Sequence, residues 1–370
     1  MDTGPMRSES GPRARNSLVR GRGATFNPAN RFEQLHYAIE EFDCEADEPG
    51  IGPNPRPATK FFRDESQSII SYNDSPDIGF NASLNPYRGC EHGCAYCYAR
   101  PTHEYLGFSA GLDFESKIMV KPRAAELLRA ELGSKSWKPQ VLNLSGVTDC
   151  YQPIEHKLGI TRACLQVLSE FRNPAFVVTK NHLVTRDIDL LGELARFDAA
   201  GVAISITTLN RDLAQKLEPR AVTPQTRLDA VARLHAGGIP VGVMAAPIIP
   251  GLNDHEIPSI LAAAAEAGAQ FASYTIVRLP LSVAPVFCDW LETHFPDRKE
   301  KILGRIRLMR EGKLNVSEFG RRMHGDGIFA EQIHRIFEVS RRRHGLDSTS
   351  RQLNIKAFRR VQRNQLELGV

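Results

Sequence analysis

The chain has 370 residues, with 47 Lys and Arg against 43 Asp and Glu and a hydrophobic fraction of 42%. Its length suits one large α/β barrel with additions, or two average domains. Its longest apolar runs contain Pro and Gly and are shorter than the roughly 20 residues that cross a bilayer, which argues against a membrane protein. The first thirty residues lack the apolar segment of a secretory signal, so we expect a cytoplasmic location.

The first sixty residues are rich in Pro, Gly, Arg and Ser and have no sustained apolar periodicity. Such a composition buries too little apolar surface to offset the entropy lost on ordering. Residues 1–60 are therefore predicted to be largely disordered or extended, and loosely attached to the protein surface.

Strand-like and helix-like patterns alternate after about residue 80. A first strand is expected in the stretch ASLNPYRG, and further β-branched or apolar runs occupy residues 140–146, 175–180, 202–209, 240–249 and 270–277. Each run is typical of a strand buried on both faces. Six strands alternating with helices predict an α/β fold whose parallel sheet is curled or closed like a barrel, over residues 61–280. In such folds ligands bind at the carboxyl ends of the strands.

Two of the intervening helices carry boundary signals. Thr223 can cap the amino terminus of a helix whose first residue is Pro224, and Gly237 is the expected stop. A second helical pattern begins near residue 187, and Gly201 is expected to close it. Both assignments rest on the preference of Thr for N-caps, of Pro for the first turn and of Gly for helix ends.

The chain after residue 280 is helical in pattern and strongly basic. Residues 298–363 contain 18 Lys and Arg against 7 Asp and Glu, a local charge of +11, so the remaining residues sum to −7. Residues 281–370 are therefore predicted to form a basic helical extension. Its charge fits contact with a polyanion such as nucleic acid, although solvated helix faces would give the same excess.

Three of the seven cysteines lie in the stretch GCEHGCAYCYAR, with the spacing C-x₃-C-x₂-C. A structural zinc ion takes four ligands, so His92, His103 or a distant Cys would have to complete its site. A ferredoxin-type cluster usually takes four Cys. Three thiolates can instead bind three irons of a cubane and leave the fourth iron open to a substrate or cosubstrate. The other four cysteines are scattered singly, which favours a reducing compartment over a disulfide framework.

Cys90, Cys94 and Cys97, with Tyr96 before the last cysteine, resemble the defining loop of the radical S-adenosylmethionine (SAM) superfamily. The resemblance implies a partial (β/α)₆ barrel, a [4Fe–4S] cluster on the three cysteines and SAM bound to the open iron. It also implies an electron donor of the flavodoxin or ferredoxin type, and reductive cleavage of SAM to a 5′-deoxyadenosyl radical that abstracts hydrogen from a substrate.

The same resemblance implies contacts with SAM at the ends of the later strands. The candidate residues are Tyr96, Gly146, Asp149, Lys180, Ser205, Thr207 and Ile249. Asp149 would meet the amino group, Lys180 the carboxylate and Ile249 the adenine, while Ser205 and Thr207 would face the ribose or carboxylate. A turn-capping Asp, a surface Lys and satisfied core hydroxyls are the corresponding structural alternatives.

The wider patterns NPYRGCEHGCAYCYARPTHEYLG, SGVTDCYQPIE and FVVTKN look like an uncharacterised bacterial group related to spore photoproduct lyase, a DNA-repair enzyme that returns hydrogen to its product from a cysteine. Cys150, next to Asp149, is a candidate for that cysteine. The group usually has Pro at this position, which favours a shielded bystander thiol.

These observations leave three candidate functions. The first is radical chemistry on a DNA or nucleotide lesion. The second is the same chemistry on a small molecule or protein. The third is a non-catalytic iron–sulfur redox or sensor protein.

Overall fold

The computed structural model describes residues 19, 21–32, 58–347 and 352–361. Most of the segment predicted to be disordered lies outside these residues. The described stretch 21–32 is hydrogen-bonded to the rest of the protein, and the character of residues 1–60 as a segment stays a prediction. The backbone N–H groups of Gly23 and Ala24 donate to the Glu115 carboxylate at 3.0 and 2.9 Å, and the buried Asn30 amide donates to the carbonyl of Glu104 at 3.0 Å.

Ten strands occur in the described residues. In chain order they are β1 (Lys60–Arg63), β2 (Ile70–Tyr72), β3 (Ala82–Leu84), β4 (Tyr87–Arg88), β5 (Lys117–Val120), β6 (Leu142–Leu144), β7 (Ala175–Thr179), β8 (Ala200–Ser205), β9 (Val241–Ile248) and β10 (Phe271–Ile276). The main sheet has the order β10-β9-β8-β7-β6-β3-β2, and β1, β5 and β4 form a small second sheet.

Six neighbouring strands of the main sheet, β3 and β6 to β10, are parallel, and β2 pairs antiparallel with β3 at one edge. Five of the six sequence runs expected to be strands contain one of these strands, and the run 202–209 overlaps β8, which begins earlier, at Ala200. The predicted α/β class and partial barrel are confirmed. Strand β8 is buried along its whole length, as expected for a parallel strand covered on both faces.

Eleven α-helices connect or extend this sheet within the described residues. They are α1 (Leu112–Ser116), α2 (Ala124–Gly133), α3 (Glu155–Leu158), α4 (Ile160–Phe171), α5 (Ile188–Ala195), α6 (Arg211–Leu217), α7 (Pro224–Ala236), α8 (Ile257–Glu266), α9 (Val283–His294), α10 (Lys299–Leu308) and α11 (Ile328–Arg343). None of the helices in these residues has the length and apolar character needed to span a membrane.

The two helix-boundary predictions have different outcomes. The Thr223 hydroxyl accepts from the Thr226 N–H at 3.3 Å, which confirms the cap of α7. The expectation that Gly201 ends a helix is wrong, because α5 ends at Ala195 and Gly201 lies inside β8. A Cβ at Gly201 would come within 2.9 Å of the Phe176 ring on β7, so the glycine serves packing between strands.

The open edge of β10 is covered by the C-terminal part of the chain. The Ile276 N–H, at the end of β10, donates to the Met323 carbonyl at 2.9 Å, and Phe271, at its start, bridges Asp347. Helix α11, which lies between residues 323 and 347, therefore runs antiparallel to β10. Its basic C-terminal end (Arg341–Arg343) lies beside the amino-terminal edge of the sheet.

Candidate active site at the carboxyl ends of the parallel strands

The loop of residues 89–100, called here the cysteine loop, follows β3 and β4. Cys90 and Cys94 are buried and Cys97 is half-buried, and all three are free thiols. The Cys90 N–H donates to the Phe114 carbonyl at 2.9 Å, and the Ala95 N–H donates to the Leu217 carbonyl at 3.0 Å. The loop is therefore fixed to elements on both sides of the barrel mouth, before β5 and after β8.

Arg100 holds the middle of the cysteine loop from inside. Its fully buried guanidinium donates two hydrogen bonds to the Cys94 carbonyl, at 3.0 and 2.8 Å, and pairs with the buried Glu115. Gly93 has φ +66°, and a Cβ there would lie 2.6 Å from a Glu115 oxygen. Glycine is needed at this position because both the left-handed backbone and the close carboxylate disfavour a side chain.

Tyr96 points away from solvent into a buried polar network. Its hydroxyl lies 3.1 Å from the Thr207 hydroxyl and also bonds Glu218, which pairs with Arg227. Thr207 donates to Glu218 at 2.6 Å. Burial alone would raise the pKa of Glu218, but the charges of Arg227 and Lys180, with these hydrogen bonds, lower it to about 2. Glu218 is therefore ionised and anchors the Tyr96 hydroxyl.

Lys180 lies at the end of β7 beside this network. Its ammonium donates to the Ser205 hydroxyl at 2.9 Å and lies 5.9 Å from the centre of the Tyr96 ring. The Ser205 hydroxyl donates to the Ala246 carbonyl at 3.1 Å. The structure thus brings Lys180, Ser205, Thr207 and Tyr96 together at one place, and their contacts with SAM stay predictions.

The Asp149 carboxylate already accepts hydrogen bonds from neighbouring groups of the protein. One oxygen accepts from the Tyr151 N–H at 2.9 Å and the Thr179 hydroxyl at 2.8 Å, and the other accepts from the Lys180 N–H at 2.9 Å. Burial would raise its pKa, but the His92 ring 3.4 Å away and these hydrogen bonds lower it to about 2. These bonds match the turn-capping alternative, and a contact with the SAM amino group stays a prediction.

Gly146 lies close to β3, and Ile249 is buried in the turn after β9. The Gly146 carbonyl accepts from the Tyr98 hydroxyl at 3.0 Å, and a Cβ at Gly146 would lie 2.7 Å from the Ser83 Cβ. Ile249 is fully buried, and its N–H donates to the Asn253 amide oxygen at 2.6 Å. Asn253 also donates to the Thr207 carbonyl at 2.7 Å, so it ties the turn after β9 to the end of β8.

Cys150, which follows Asp149 in the chain, is fully buried. Burial raises the pKa of its thiol well above the ordinary value. Its N–H donates to the Ser145 hydroxyl at 2.9 Å, and its carbonyl accepts from the Thr161 hydroxyl at 2.7 Å. These contacts suit the bystander interpretation, and a role as hydrogen donor stays a prediction.

Comparison with known proteins identifies the family. The model of the radical SAM superfamily matches residues 84–264, which contain the cysteine loop and the strand ends described above. The chain belongs to the radical SAM superfamily. The predicted membership is confirmed, and with it the implied cofactors, a [4Fe–4S] cluster and SAM.

Relatives of this radical SAM chain have diverse sources. An uncharacterised protein of Mycobacterium tuberculosis is 35% identical over 222 residues, which are 60% of this chain and 65% of that protein. A protein of Pseudomonas phage M6 named radical SAM Nα-GlyT isomerase is 27% identical over 251 residues, covering 67% of this chain and 50% of that protein. The chain thus spans less than two thirds of the length of both relatives.

A solved structure of spore photoproduct lyase, complexed with dinucleoside spore photoproduct, matches the fold. Its TM-score is 0.56 at 15% sequence identity, and the match covers 77% of this chain and 78% of that one. At this identity the likeness establishes a shared radical SAM fold.

The three thiols fit an iron–sulfur cluster in their chemistry and placement. Burial raises the pKa of the Cys94 and Cys97 thiols. A cationic iron core would stabilise the thiolates that burial disfavours. Within residues 21–32, 58–347 and 352–361 no three His, Cys, Asp or Glu side chains converge on one ion position. Thiolates that each bind a different iron need no such convergence, so the three thiols are compatible with a cluster.

Several residues of the site were missed by sequence reasoning. They are Arg100, Glu115, Glu218, Arg227 and Asn253. Arg227 carries a usable signal, because it shares the buried face of α7 with Val231 and Leu234 at helical spacing, where a charge needs a partner. Glu218 follows α6 in an ordinary polar context, and its role depends on contacts distant in sequence.

Proposed function

We propose that this radical SAM chain cleaves SAM reductively and abstracts hydrogen from a nucleic-acid-type substrate. The observation that supports the chemistry is the group of three free thiols, two of them buried and one half-buried, on a loop fixed at the barrel mouth, beside Lys180 and Tyr96. The cluster and SAM, when bound, supply the electron transfer that generates the 5′-deoxyadenosyl radical.

The chain's own residues bind, position and shield in this proposal. Cys90, Cys94 and Cys97 hold the cluster, and Arg100 fixes the loop that carries them. Lys180 would pair with the SAM carboxylate, since its ammonium bonds one hydroxyl and faces a ring but has no carboxylate within ion-pair distance among the described residues. The Glu218 network keeps the Tyr96 ring in place beneath it.

Nucleic acid is proposed as the substrate class on the fold and on charge. The lyase that shares the fold was solved with dinucleoside spore photoproduct, and the last part of the chain is strongly basic. Phosphate contacts would supply much of the affinity. A small-molecule or protein substrate is the alternative, as is a redox or sensor protein without catalysis. A flavodoxin or ferredoxin is the proposed electron donor.

The chemistry is tested with protein reconstituted anaerobically and given a strong reductant and SAM. We expect 5′-deoxyadenosine and methionine to form. An intact cluster that neither binds SAM nor forms 5′-deoxyadenosine would show a non-catalytic iron–sulfur protein.

The substrate class is tested by adding undamaged and ultraviolet-irradiated oligothymidylate at low salt. Binding, with faster SAM consumption on the irradiated strand, supports a nucleic-acid lesion. Formation of 5′-deoxyadenosine without any binding of either strand would assign the chemistry to a small molecule or protein.

A further inference from the structure

Arg278 lies at the barrel mouth, two residues after the end of β10. Its guanidinium carbon is 5.7 Å from the centre of the Tyr98 ring. Tyr98 directly follows the cluster ligand Cys97, and its hydroxyl reaches across to the Gly146 carbonyl at 3.0 Å. Arg278 is therefore next to the cysteine loop, at the edge of the sheet where radical chemistry is proposed.

The Arg278 guanidinium has unused hydrogen-bonding capacity. Its Nε is buried and has no hydrogen-bond partner among the described residues. One terminal nitrogen contacts the Met323 sulfur at 3.5 Å, which is a weak acceptor. A buried donor without an acceptor costs free energy, so such a group suits a ligand that brings one.

Asp77, the carboxylate whose charge acts on Arg278, is already hydrogen-bonded to other groups. Asp77 accepts from Arg322 at 2.6 Å and from the Gly320 N–H at 2.6 Å. Burial, and then the nearby charge of Arg322, lower the pKa of Arg278. The residue therefore sits in an excess of positive charge.

Arg310 adds a further positive charge near Arg278. It is almost fully buried and donates to the Val277 carbonyl at 2.8 Å and to the Arg322 carbonyl at 3.1 Å. Burial and the charge of Arg278 lower its pKa to about 10. Arg278, Arg310 and Arg322 thus form a cationic group (the mouth arginines) that an anion would stabilise.

The Tyr98 ring offers a flat surface beside this group. Tyr98 is 50% exposed. Arg278 covers one part of the ring, and an aromatic ring next to a cation is the arrangement with which proteins bind a nucleobase and its phosphate together.

We propose that Arg278 binds a phosphodiester of the substrate at the barrel mouth, with a neighbouring base against Tyr98. This inference rests on the proposed function and narrows it, because it places the phosphate contact beside the cysteine loop. The expectation based on sequence charge assigned the polyanion contact to residues 281–370 as a whole, which include Arg341–Arg343 at the opposite edge of the sheet.

The test measures dinucleotide binding by calorimetry, on anaerobic cluster-loaded protein with SAM present. The probes are thymidylyl-(3′→5′)-thymidine and its uncharged methylphosphonate analogue. We expect the wild-type chain to prefer the charged probe by roughly 10- to 100-fold, as for a hydrogen bond to a charged group. Arg278→Gln should abolish the preference. Arg233→Gln, on the outer face of α7, is the matched control and should keep the preference.

Arg278→Lys is a second variant that keeps the test interpretable if Arg278→Gln fails to fold. It keeps the charge but loses the fork of donors, so it should retain part of the preference. Persistence of the full preference in Arg278→Gln would overturn the inference, as would equal binding of both probes by the wild-type chain. If Arg278→Gln weakened SAM binding as much as it weakened dinucleotide binding, the inference would also be overturned, because Arg278 would then be assigned to SAM. Absence of 5′-deoxyadenosine from wild-type protein would instead refute the proposed chemistry, so the two failures are distinguishable.

Discussion

The cysteine loop and the C-terminal end of α11 are both conspicuous in the sequence, one for its thiols and the other for its three consecutive arginines. The loop is buried at the carboxyl edge of the sheet, and Arg100 and Glu115 fix it. Arg341–Arg343 lie at the amino edge, where Arg341 pairs with Glu338 at 2.9 Å and Asp347 at 2.8 Å.

The difference between the two regions has a physical cause. Thiolates placed side by side repel one another and are disfavoured by burial unless a cationic group binds them, so clustered cysteines carry information about a ligand. Exposed charges cost little in water, and local carboxylates neutralise them. A cluster of thiols in a sequence is therefore a stronger functional signal than a cluster of arginines.

The largest effect is expected from Cys94→Ala. Removing one of three cluster ligands should abolish the cluster, because two thiolates leave two irons without a protein ligand. Iron content and the visible absorbance of the reconstituted protein measure this. Cys288→Ala, which removes a half-buried free thiol on α9, is the control and should retain iron. Normal iron content in Cys94→Ala would show that the cysteine loop does not hold the cluster.

Glu218→Gln should destabilise the fold strongly without removing a ligand. It leaves the Arg227 charge buried without its partner, which costs about 3 to 5 kcal/mol of unfolding free energy. Denaturant unfolding measures the loss, and the exposed Glu266→Gln on α8 is the control. A loss below about 1 kcal/mol would show that the pair is not structural.

The same carboxylate makes stability depend on pH. The pKa of Glu218 is lowered from 4.5 to about 2 in the folded chain. Its contribution is therefore fully present above pH 4.5 and is lost as the pH falls through about 2. Wild-type protein should lose more unfolding free energy than Glu218→Gln across this range. Parallel pH profiles for the two proteins would contradict the assignment.

Lys180→Gln should weaken SAM binding by roughly 10-fold, because the proposed pairing with the carboxylate loses its charge. Equilibrium binding of SAM to the cluster-loaded protein measures this. Lys157→Gln, exposed on α3, serves as the control. Unchanged affinity in Lys180→Gln would return the residue to a structural role, bonded to Ser205.

The smallest effect is expected from Arg342→Glu with Arg343→Glu. Both side chains are exposed at the amino edge of the sheet, so formation of 5′-deoxyadenosine should not change, and oligonucleotide binding should weaken less than in Arg278→Gln. Binding lost more completely than in Arg278→Gln would locate the nucleic-acid contact on α11 instead of at the barrel mouth.

The sequence alone determined the fold class and the strand runs, and it singled out the three cysteines proposed to bind the cluster. Periodicity and the C-x₃-C-x₂-C spacing are local properties, so they can be seen without knowing which segments meet. Boundaries were less certain, as Gly201 shows: glycine favours helix ends, but here a close contact with Phe176 places it in β8.

Only the tertiary structure decided which charges matter. The Glu218–Arg227 pair that holds Tyr96, the bonds that occupy Asp149, and the placement of Arg278 beside Tyr98 all join residues far apart in the chain. Electrostatic roles depend on burial and on partners, and both are set when the strands assemble. The sequence could therefore single out the thiols proposed to bind the cluster, whereas the cation proposed to bind the substrate became visible once β10 was placed next to the cysteine loop.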